Sequence, residues 1–276
     1  EANEALEGMK NAFIKEGKPD EFINFANNLP GPKIASGAQD TIFYSAAEDA
    51  YQKEDYTKAA EAFSNYLKRF PEGAYKLHAT FYKSKCDYFA KNYEAALQGF
   101  ETILQQPSND FTEESLAKAA VLQFYKKDYK AAVAHFKKLE QTANYKDNII
   151  AALAGQMRCY YLLNDDDACI TATQKLLETE KLSSDLIHET HLYYGRSALR
   201  KEDWSTAQRE FIEVNKVQSG ARAAEAKYAL AVIEYKLKNY KQVTKRVAEL
   251  DNMNPSYDYW LAKAYLVLGD AYVAQG

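Results

Sequence analysis

His188 and His191, with Glu189 between them, have the spacing that comes closest to a metal site in this sequence. Two histidines at i and i+3 on a helix point to the same side and can face one ion. A metal site needs further ligands, which this spacing alone does not supply. We therefore predict ordinary helix residues here, with no metal and no cofactor.

Three consecutive acids, Asp165, Asp166 and Asp167, form the densest cluster of carboxylates. A calcium loop would also need its central glycine and its terminal glutamate, and both are missing. Acidic side chains at the start of a helix are stabilised by the exposed backbone N–H groups. The pattern indicates a solvated turn and a helix cap.

Motifs for covalent and phosphate chemistry are absent from the sequence. It has no serine nucleophile elbow, phosphate loop, dinucleotide fingerprint or HExxH motif. Cys86, Cys159 and Cys169 are too few, and odd in number, for a disulfide framework. We predict that they are small buried residues, with a bridge between Cys159 and Cys169 as the alternative. The chain is predicted not to be an enzyme.

Composition excludes two further classes of function. The net charge of -4 argues against a general nucleic-acid binder. No stretch approaches the roughly 20 apolar residues of a membrane span, so we predict no membrane insertion of this segment. The 6 prolines and 11 glycines are few for 276 residues, which favours long helices over many strands joined by turns.

The stretch from Tyr44 to Pro71 has the pattern of two helices joined by a tight turn. Tyr44, Ala47 and Tyr51 fall on one face at helical spacing. Residues 53–55 form the turn. Pro71 closes the second helix, because proline cannot continue the hydrogen-bond ladder. Alone, such a hairpin could not bury its apolar face.

This hairpin recurs along the chain with a period of about 37 residues. Each copy has a small residue in its first helix, a residue that opens its second helix, and an apolar residue seven positions later. The first-helix positions are Ala47, Ser84, Ala120, Met157, Gly195 and Ala231, with Met157 as the exception. The opening positions are Tyr56, Tyr93, Tyr129, Asp166, Trp204 and Tyr240. The later positions are Phe63, Phe100, Phe136, Thr173, Phe211 and Val247.

The fourth copy departs furthest from the pattern. Asp166 stands where an aromatic residue is expected, and Thr173 stands where phenylalanine is expected. We expect this hairpin to be less well packed than the others.

Two segments are predicted. Residues 1–37 form an irregular N-terminal helical hairpin followed by a Pro/Gly linker, because Pro30-Gly31-Pro32 interrupts the helical pattern. Residues 38–276 form the array, with six complete repeats and a terminal half-repeat around Tyr265 and Tyr272. An apolar half-repeat is a poor end for such an array, so the natural chain is expected to continue.

The copies resemble the tetratricopeptide repeat. The matches are Tyr56-x2-Ala59-x3-Phe63 with Pro71, Tyr93-x2-Ala96-x3-Phe100, and Tyr265-x2-Leu268-Gly269-x2-Tyr272. The resemblance covers about residues 40–276. It implies an all-α fold, a right-handed superhelical solenoid of helix-turn-helix repeats.

The residue pattern of the repeats is also similar to that of bacterial cell-envelope proteins. These include the Tol-Pal accessory protein, the outer-membrane assembly lipoproteins and large Bacteroides-type repeat proteins. This resemblance implies a location in the bacterial cell envelope, in the periplasm, with the cytoplasm as the alternative.

In the tetratricopeptide family, the first helices line a concave groove that binds a protein or peptide. The resemblance therefore implies a non-catalytic interaction scaffold, with partner contacts at the matching positions of this chain. These are Tyr44, Tyr51, Phe81, Lys85, Tyr88, Phe124, Arg158, Tyr161, Arg196, Arg200, Tyr235 and Lys236.

Alternatives stay open at three points. The aromatic side chains that recur on the first helices form either a groove surface or inter-repeat core. The exposure of five of these rings would distinguish the two. Arg196, Arg200 and Lys236 either receive an acidic tail or form a solvated basic face. The chain is otherwise a structural subunit of a cell-envelope assembly, or a binder of carbohydrate or cell-wall ligands. The five rings are those of Tyr51, Tyr88, Phe124, Tyr161 and Tyr235.

Overall fold

The computed structural model describes residues 2–216 and 219–275. These residues form fifteen α-helices and no strand. The helices are α1 (Ala2–Lys15), α2 (Pro19–Asn28), α3 (Ser36–Gln52), α4 (Tyr56–Arg69), α5 (Lys76–Phe89), α6 (Tyr93–Leu104), α7 (Thr112–Tyr125), α8 (Tyr129–Thr142), α9 (Lys146–Leu162), α10 (Asp166–Leu177), α11 (Ser184–Arg200), α12 (Trp204–Asn215), α13 (Ala221–Lys236), α14 (Tyr240–Asp251) and α15 (Asp258–Val273).

The second helices of the six hairpins begin where the sequence pattern predicts. These helices are α4, α6, α8, α10, α12 and α14, and their first residues are the six predicted opening positions. In four hairpins, the aspartate before the helix accepts a hydrogen bond from the backbone N–H three residues later, at 3.1–3.2 Å. This bond satisfies one of the free N–H groups at the start of the helix. The four aspartates are Asp55, Asp128, Asp165 and Asp203.

Each hairpin turn contains one residue in the left-handed backbone conformation. Its φ lies between 58° and 64° in all six copies, although none of these residues is glycine. A side chain makes this conformation costly, and glycine adopts it freely. The six residues are Glu54, Lys91, Lys127, Asn164, Glu202 and Lys238.

The chain divides into two compact units, one ending at Lys126 and the next beginning at Lys127. The predicted N-terminal hairpin corresponds to α1 and α2, which lie in the first unit. Phe22 and Ile23 of α2 share one core cluster with Phe63 of α4, and Ile34 of the predicted linker packs against it. The apolar face of the hairpin is therefore buried in the core that α3 and α4 also line.

Small residues allow helices to approach closely in the second unit. A methyl group added at Gly155 of α9 would lie 2.4 Å from the ring of Phe136 in α8. At Gly195 of α11 it would lie 3.1 Å from the ring of Phe211 in α12. A small residue on one helix thus leaves room for a large one on its neighbour.

The fourth hairpin is packed differently, but it is not loose. Thr173 is fully buried, and its hydroxyl donates a 2.7 Å hydrogen bond to the carbonyl of Ile170. Met157 fills the position that is small in the other copies, and it packs in one cluster with Cys169 and Leu176. The expected loose packing is therefore wrong, because the large and small residues have exchanged places between the two helices.

Candidate partner-binding surface

The first helices of the hairpins carry the predicted partner-binding residues. We call α3, α5, α7, α9, α11 and α13 the first helices and consider each unit by itself. The five rings that were to distinguish groove from core are all half-buried. Each keeps part of its surface accessible, so the outcome that would remove support from the groove interpretation, burial of all five rings, is not observed. The rings belong to Tyr51, Tyr88, Phe124, Tyr161 and Tyr235.

Two predicted surface residues are core residues instead. Tyr44 is 5% exposed, and its ring stacks on Tyr75 at 4.3 Å between centroids. Burial, with a contribution from the Glu48 carboxylate, raises the pKa of Tyr44. Phe81 is 3% exposed and stacks on Phe111, also at 4.3 Å. Their placement on an accessible surface is therefore corrected, because each ring packs against the segment that begins the next hairpin.

Three predicted basic residues form ion pairs with the next first helix. Lys85 of α5 lies 3.1 Å from Glu114 of α7. Arg158 binds both oxygens of Glu189 at 2.7 Å, and Arg196 binds both oxygens of Glu225 at 2.5 Å. Paired arginine–carboxylate bonds of this kind are among the stronger hydrogen bonds in proteins.

These ion pairs change the interpretation of the basic residues. Burial lowers the pKa of Lys85, but the hydrogen bond and charge of Glu114 outweigh it, and the net shift is upward. Lys85 therefore stays charged and engaged. An acidic tail would have to displace carboxylates that the chain already supplies, so the acidic-tail interpretation loses its support at Arg196, and at Arg200, which is paired with Asp166. Lys236 is exposed.

The partner carboxylates were missed from the sequence, although their spacing carries a signal. Each cation directly follows the repeat's first-helix position, as Arg196 follows Gly195. Each acid lies six residues before the same position of the next copy, as Glu225 precedes Ala231. Aligning charges between copies, instead of within one copy, would have found them.

Cations also cover the half-buried rings. The Lys118 ammonium lies 4.4 Å from the centre of the Tyr88 ring, and Arg196 lies 5.5 Å from that of Tyr161. In each case the cation belongs to the next first helix. Cation–π contacts of this length are attractive and hold the ring in place.

Arg200 closes the space between the fourth and fifth hairpins, and we call this group the Arg200 clamp. Its guanidinium donates to Asp166 at 2.5 and 2.9 Å and to Asn164 at 2.7 Å. It also lies 4.1 Å from the centre of the Tyr161 ring. Asp166, which breaks the aromatic pattern of the repeats, is therefore the anchor of this clamp.

The corresponding place in the first unit is an open cavity, which we call the Tyr88 pocket. It has a volume of about 520 Å³. Tyr93 and Tyr125 on its wall are 49% and 77% exposed. Its lining residues are Tyr88, Tyr93, Val121, Leu122, Tyr125 and Lys126.

Comparison with known proteins assigns the repeats. A family model described as tetratricopeptide repeat matches residues 44–111 and 195–242. These two stretches match the tetratricopeptide repeat. The predicted all-α fold of stacked tetratricopeptide hairpins is confirmed within each unit. The comparison with curated proteins found no match.

Solved structures of other proteins have the same fold. RapI, in its apo form, superposes with a TM-score of 0.55 at 14% identity, over 100% of this chain and 87% of RapI. The C-terminal part of a repeat protein from Cytophaga hutchinsonii gives 0.54 at 17% identity, over 92% and 98%. A tetratricopeptide repeat protein from Parabacteroides merdae gives 0.51 at 14% identity, over 86% of each chain.

Of the predicted histidine pair, His191 contacts the neighbouring second helix. Nδ1 of His191 lies 2.7 Å from Oε2 of Glu210 in α12, and Glu189 is held by Arg158. Within residues 2–216 and 219–275, no group of three or more His, Cys, Asp or Glu side chains could hold a metal ion.

The three cysteines are free and buried, so the predicted small buried residues are confirmed and the alternative bridge is wrong. Burial raises the pKa of Cys86 and of Cys159 to about 12, and that of Cys169 to about 11. Thiols with such pKa values are inert at neutral pH, because the thiolate is the reactive form.

Two other surfaces of the tetratricopeptide array differ from the first-helix surface. A cavity of about 690 Å³ lies between the α1–α2 turn and α3–α4, and its charged walls are paired internally, as in Arg69 with Asp20. On α15, Tyr259, Leu266 and Val273 are 67%, 71% and 84% exposed and lie seven residues apart. Among the described residues, no helix is both long and apolar enough to span a membrane.

Proposed function

We propose that the chain is a non-catalytic scaffold that holds a peptide or protein segment against the first helices of its hairpins. The observation that carries the proposal is the repeated half-buried ring at the end of the first helices. A ring fixed by packing on one side and open on the other offers contact area at little entropic cost. Within each unit, rings that recur from hairpin to hairpin suit an extended or helical segment.

The charges of this surface indicate what the partner contributes. Lys85, Arg158 and Arg196 are compensated by Glu114, Glu189 and Glu225. We therefore expect apolar and aromatic contacts, with a weak dependence of affinity on salt, since few unpaired charges are available for long-range attraction.

Peptide display against the full chain tests the proposal. The selected peptides should lose at least 10-fold in affinity when Tyr88, Tyr161 and Tyr235 are all changed to alanine. Ile212→Ala is the control, because Ile212 is 41% exposed on a second helix. Equal affinity for the triple variant and the control would contradict the proposal, as would a selection that enriches no peptide.

A second candidate function is supported by α15. Its exposed Tyr259, Leu266 and Val273 form an apolar stripe of the kind that mediates assembly. In this alternative the chain is a structural subunit. Light scattering after gel filtration should then show a self-associated species that Leu266→Lys converts to monomer, and a monomer at every concentration would count against it.

We also propose a location in the bacterial cell envelope, in the periplasm. The support is the similarity of the residue pattern of the repeats to that of envelope proteins. Fractionation of the source cell with an antibody to the chain tests it, and recovery in the cytoplasm would favour the alternative.

A further inference from the structure

We propose that the Tyr88 pocket takes one aromatic side chain of the partner and anchors the bound segment in the first unit. The inference rests on the proposed scaffold function and adds the position and chemistry of one subsite. It comes from comparing positions that the repeat makes equivalent. The chain places a ring in one of them and a guanidinium in another, and it leaves the third open.

Between the first and second hairpins, the chain fills this place with its own ring. Phe89, five residues after Ser84, stacks on Tyr56 with 4.6 Å between ring centroids. Tyr56 is in turn 5.8 Å from Tyr51. A planar aromatic group is therefore the natural occupant of a site walled by the two tyrosines of one hairpin.

Between the fourth and fifth hairpins, the place is filled by another planar group. Arg200, five residues after Gly195, lays its guanidinium 4.1 Å from the centre of the Tyr161 ring and binds Asp166. The second-helix opening residue is an acid here, and it anchors the arginine in place of a ring.

Between the second and third hairpins, neither solution is present. Tyr125, five residues after Ala120, stands at the position of Phe89, but it is 77% exposed. Its ring contact is with Phe124 at 5.9 Å, and the described residues include no stacking of Tyr125 on Tyr93. Tyr88 and Tyr93 thus line a cavity of about 520 Å³ together with Val121.

The charges around the pocket select an aromatic ring over a guanidinium. The Lys118 ammonium lies 4.4 Å from the Tyr88 ring, and Lys126 stands on the wall. Lys126 is paired with Glu94. The Lys118 ammonium repels an incoming cation, whereas a neutral ring stacks on tyrosine and lies against Val121.

The decisive variant moves the Arg200 clamp into the first unit. Lys91→Asn, Tyr93→Asp and Tyr125→Arg reproduce Asn164, Asp166 and Arg200 at their equivalent positions, so the chain should fill the pocket itself. A second, single variant, Val121→Lys, places a cation in the lining of the Tyr88 pocket. This is the position that Lys85 occupies one hairpin earlier. Tyr125→Phe is the matched control, because it keeps the ring.

Methyl NMR of the full chain gives the readout. The Val121 and Leu122 methyl signals should shift on titration with N-acetyl-tryptophan amide, and Leu122 is the reporter in Val121→Lys. They should not shift with N-acetyl-arginine amide or methyl β-glucoside. Both filled variants should weaken binding of the tryptophan probe at least 10-fold, and Tyr125→Phe should change it less than twofold.

Each outcome decides between the two proposals. If displayed peptides bind the wild type and the filled variants equally, the aromatic subsite is overturned while the scaffold function stands. If no peptide is selected but the tryptophan probe shifts Val121 and is excluded by the filled variants, the pocket is supported and the scaffold function is not. A shift with the glucoside alone, or no shift at all, overturns the aromatic subsite.

Discussion

The Tyr88 pocket and the Arg200 clamp occupy equivalent positions in the two units, and one is open while the other is closed. The repeat brings side chains from the same repeat positions together between consecutive hairpins. In the first unit these side chains leave a cavity of about 520 Å³. In the second, Arg200 donates hydrogen bonds to Asp166 and Asn164. The repeat therefore builds the place, and the side chains decide whether a partner can enter it.

The same comparison explains why the fourth hairpin departs from the pattern. Asp166 is required by the clamp, and Thr173 is accommodated by Met157. Residues that break a repeat pattern are thus compensated by a second departure nearby. The compensation can be tested in each unit separately.

The largest expected effect contrasts the packing of the two hairpins. Phe100→Ala should lower the free energy of unfolding by about 3–5 kcal/mol, because Phe100 is fully buried. Thr173→Val at the equivalent position should cost less than about 1 kcal/mol, since the shape is kept and the lost bond lies within α10. Urea denaturation followed by circular dichroism measures both. Equal losses would show that Met157 does not compensate for the missing ring.

The next effect contrasts the clamp with the pocket. Arg200→Ala should destabilise by about 1–2 kcal/mol, since it leaves Asp166 without its partner, and the loss should shrink in high salt. Tyr125→Ala should change stability by less than about 0.5 kcal/mol, because the side chain is mostly exposed. Thermal denaturation at low and high salt measures both. A Tyr125→Ala loss as large as that of Arg200→Ala would contradict an open pocket.

A smaller effect contrasts two helix caps. Asp203→Ala should cost about 1 kcal/mol, because Asp203 accepts from the Thr206 N–H. Asn92→Ala should cost less, since its side chain makes no cap hydrogen bond.

The Asp203 difference also depends on pH. Hydrogen bonds from Thr206 and Ser205 lower the pKa of Asp203. Its contribution is therefore complete above the unfolded pKa of about 4 and is lost as pH falls through the lower folded value. Denaturation midpoints of wild type and Asp203→Ala should converge in acid, and a constant gap would exclude the carboxylate as the cause.

The smallest effect concerns the left-handed turn residues. Lys91→Gly should stabilise the first unit by up to about 1 kcal/mol, because φ is 64° at Lys91. Asn164→Gly should give no gain, because asparagine tolerates this conformation and its side chain accepts a hydrogen bond from Arg200. Midpoint shifts of the same sign and size would show that the clamp adds nothing at Asn164.

Much of the fold was predictable from local patterns. The openings of all six second helices were placed correctly, because an aspartate or asparagine precedes each, and in five of them an apolar residue follows seven positions on. The attachment of the N-terminal hairpin was not predictable. The local pattern places Phe22 and Ile23 on one face of a short helix. It does not indicate that they pack in the core that α3 and α4 also line.

The candidate surface was predicted only in part. The half-buried rings were placed on the first helices from the repeat offset, whereas Tyr44 and Phe81 were taken for surface residues. Helical spacing gives the face on which a side chain lies, but burial depends on the rings that the next hairpin brings. For these two residues, the rings are those of Tyr75 and Phe111.

The amino-acid sequence by itself determined the helices, their turns and the repeat, because these depend on residues within about one helical turn of each other. The tertiary structure decided which charges are paired and which site is open. Lys85 meets Glu114, and Arg200 meets Asp166, only when consecutive hairpins stack. The Tyr88 pocket exists for the same reason: its walls come from two hairpins, and neither hairpin alone encloses a space.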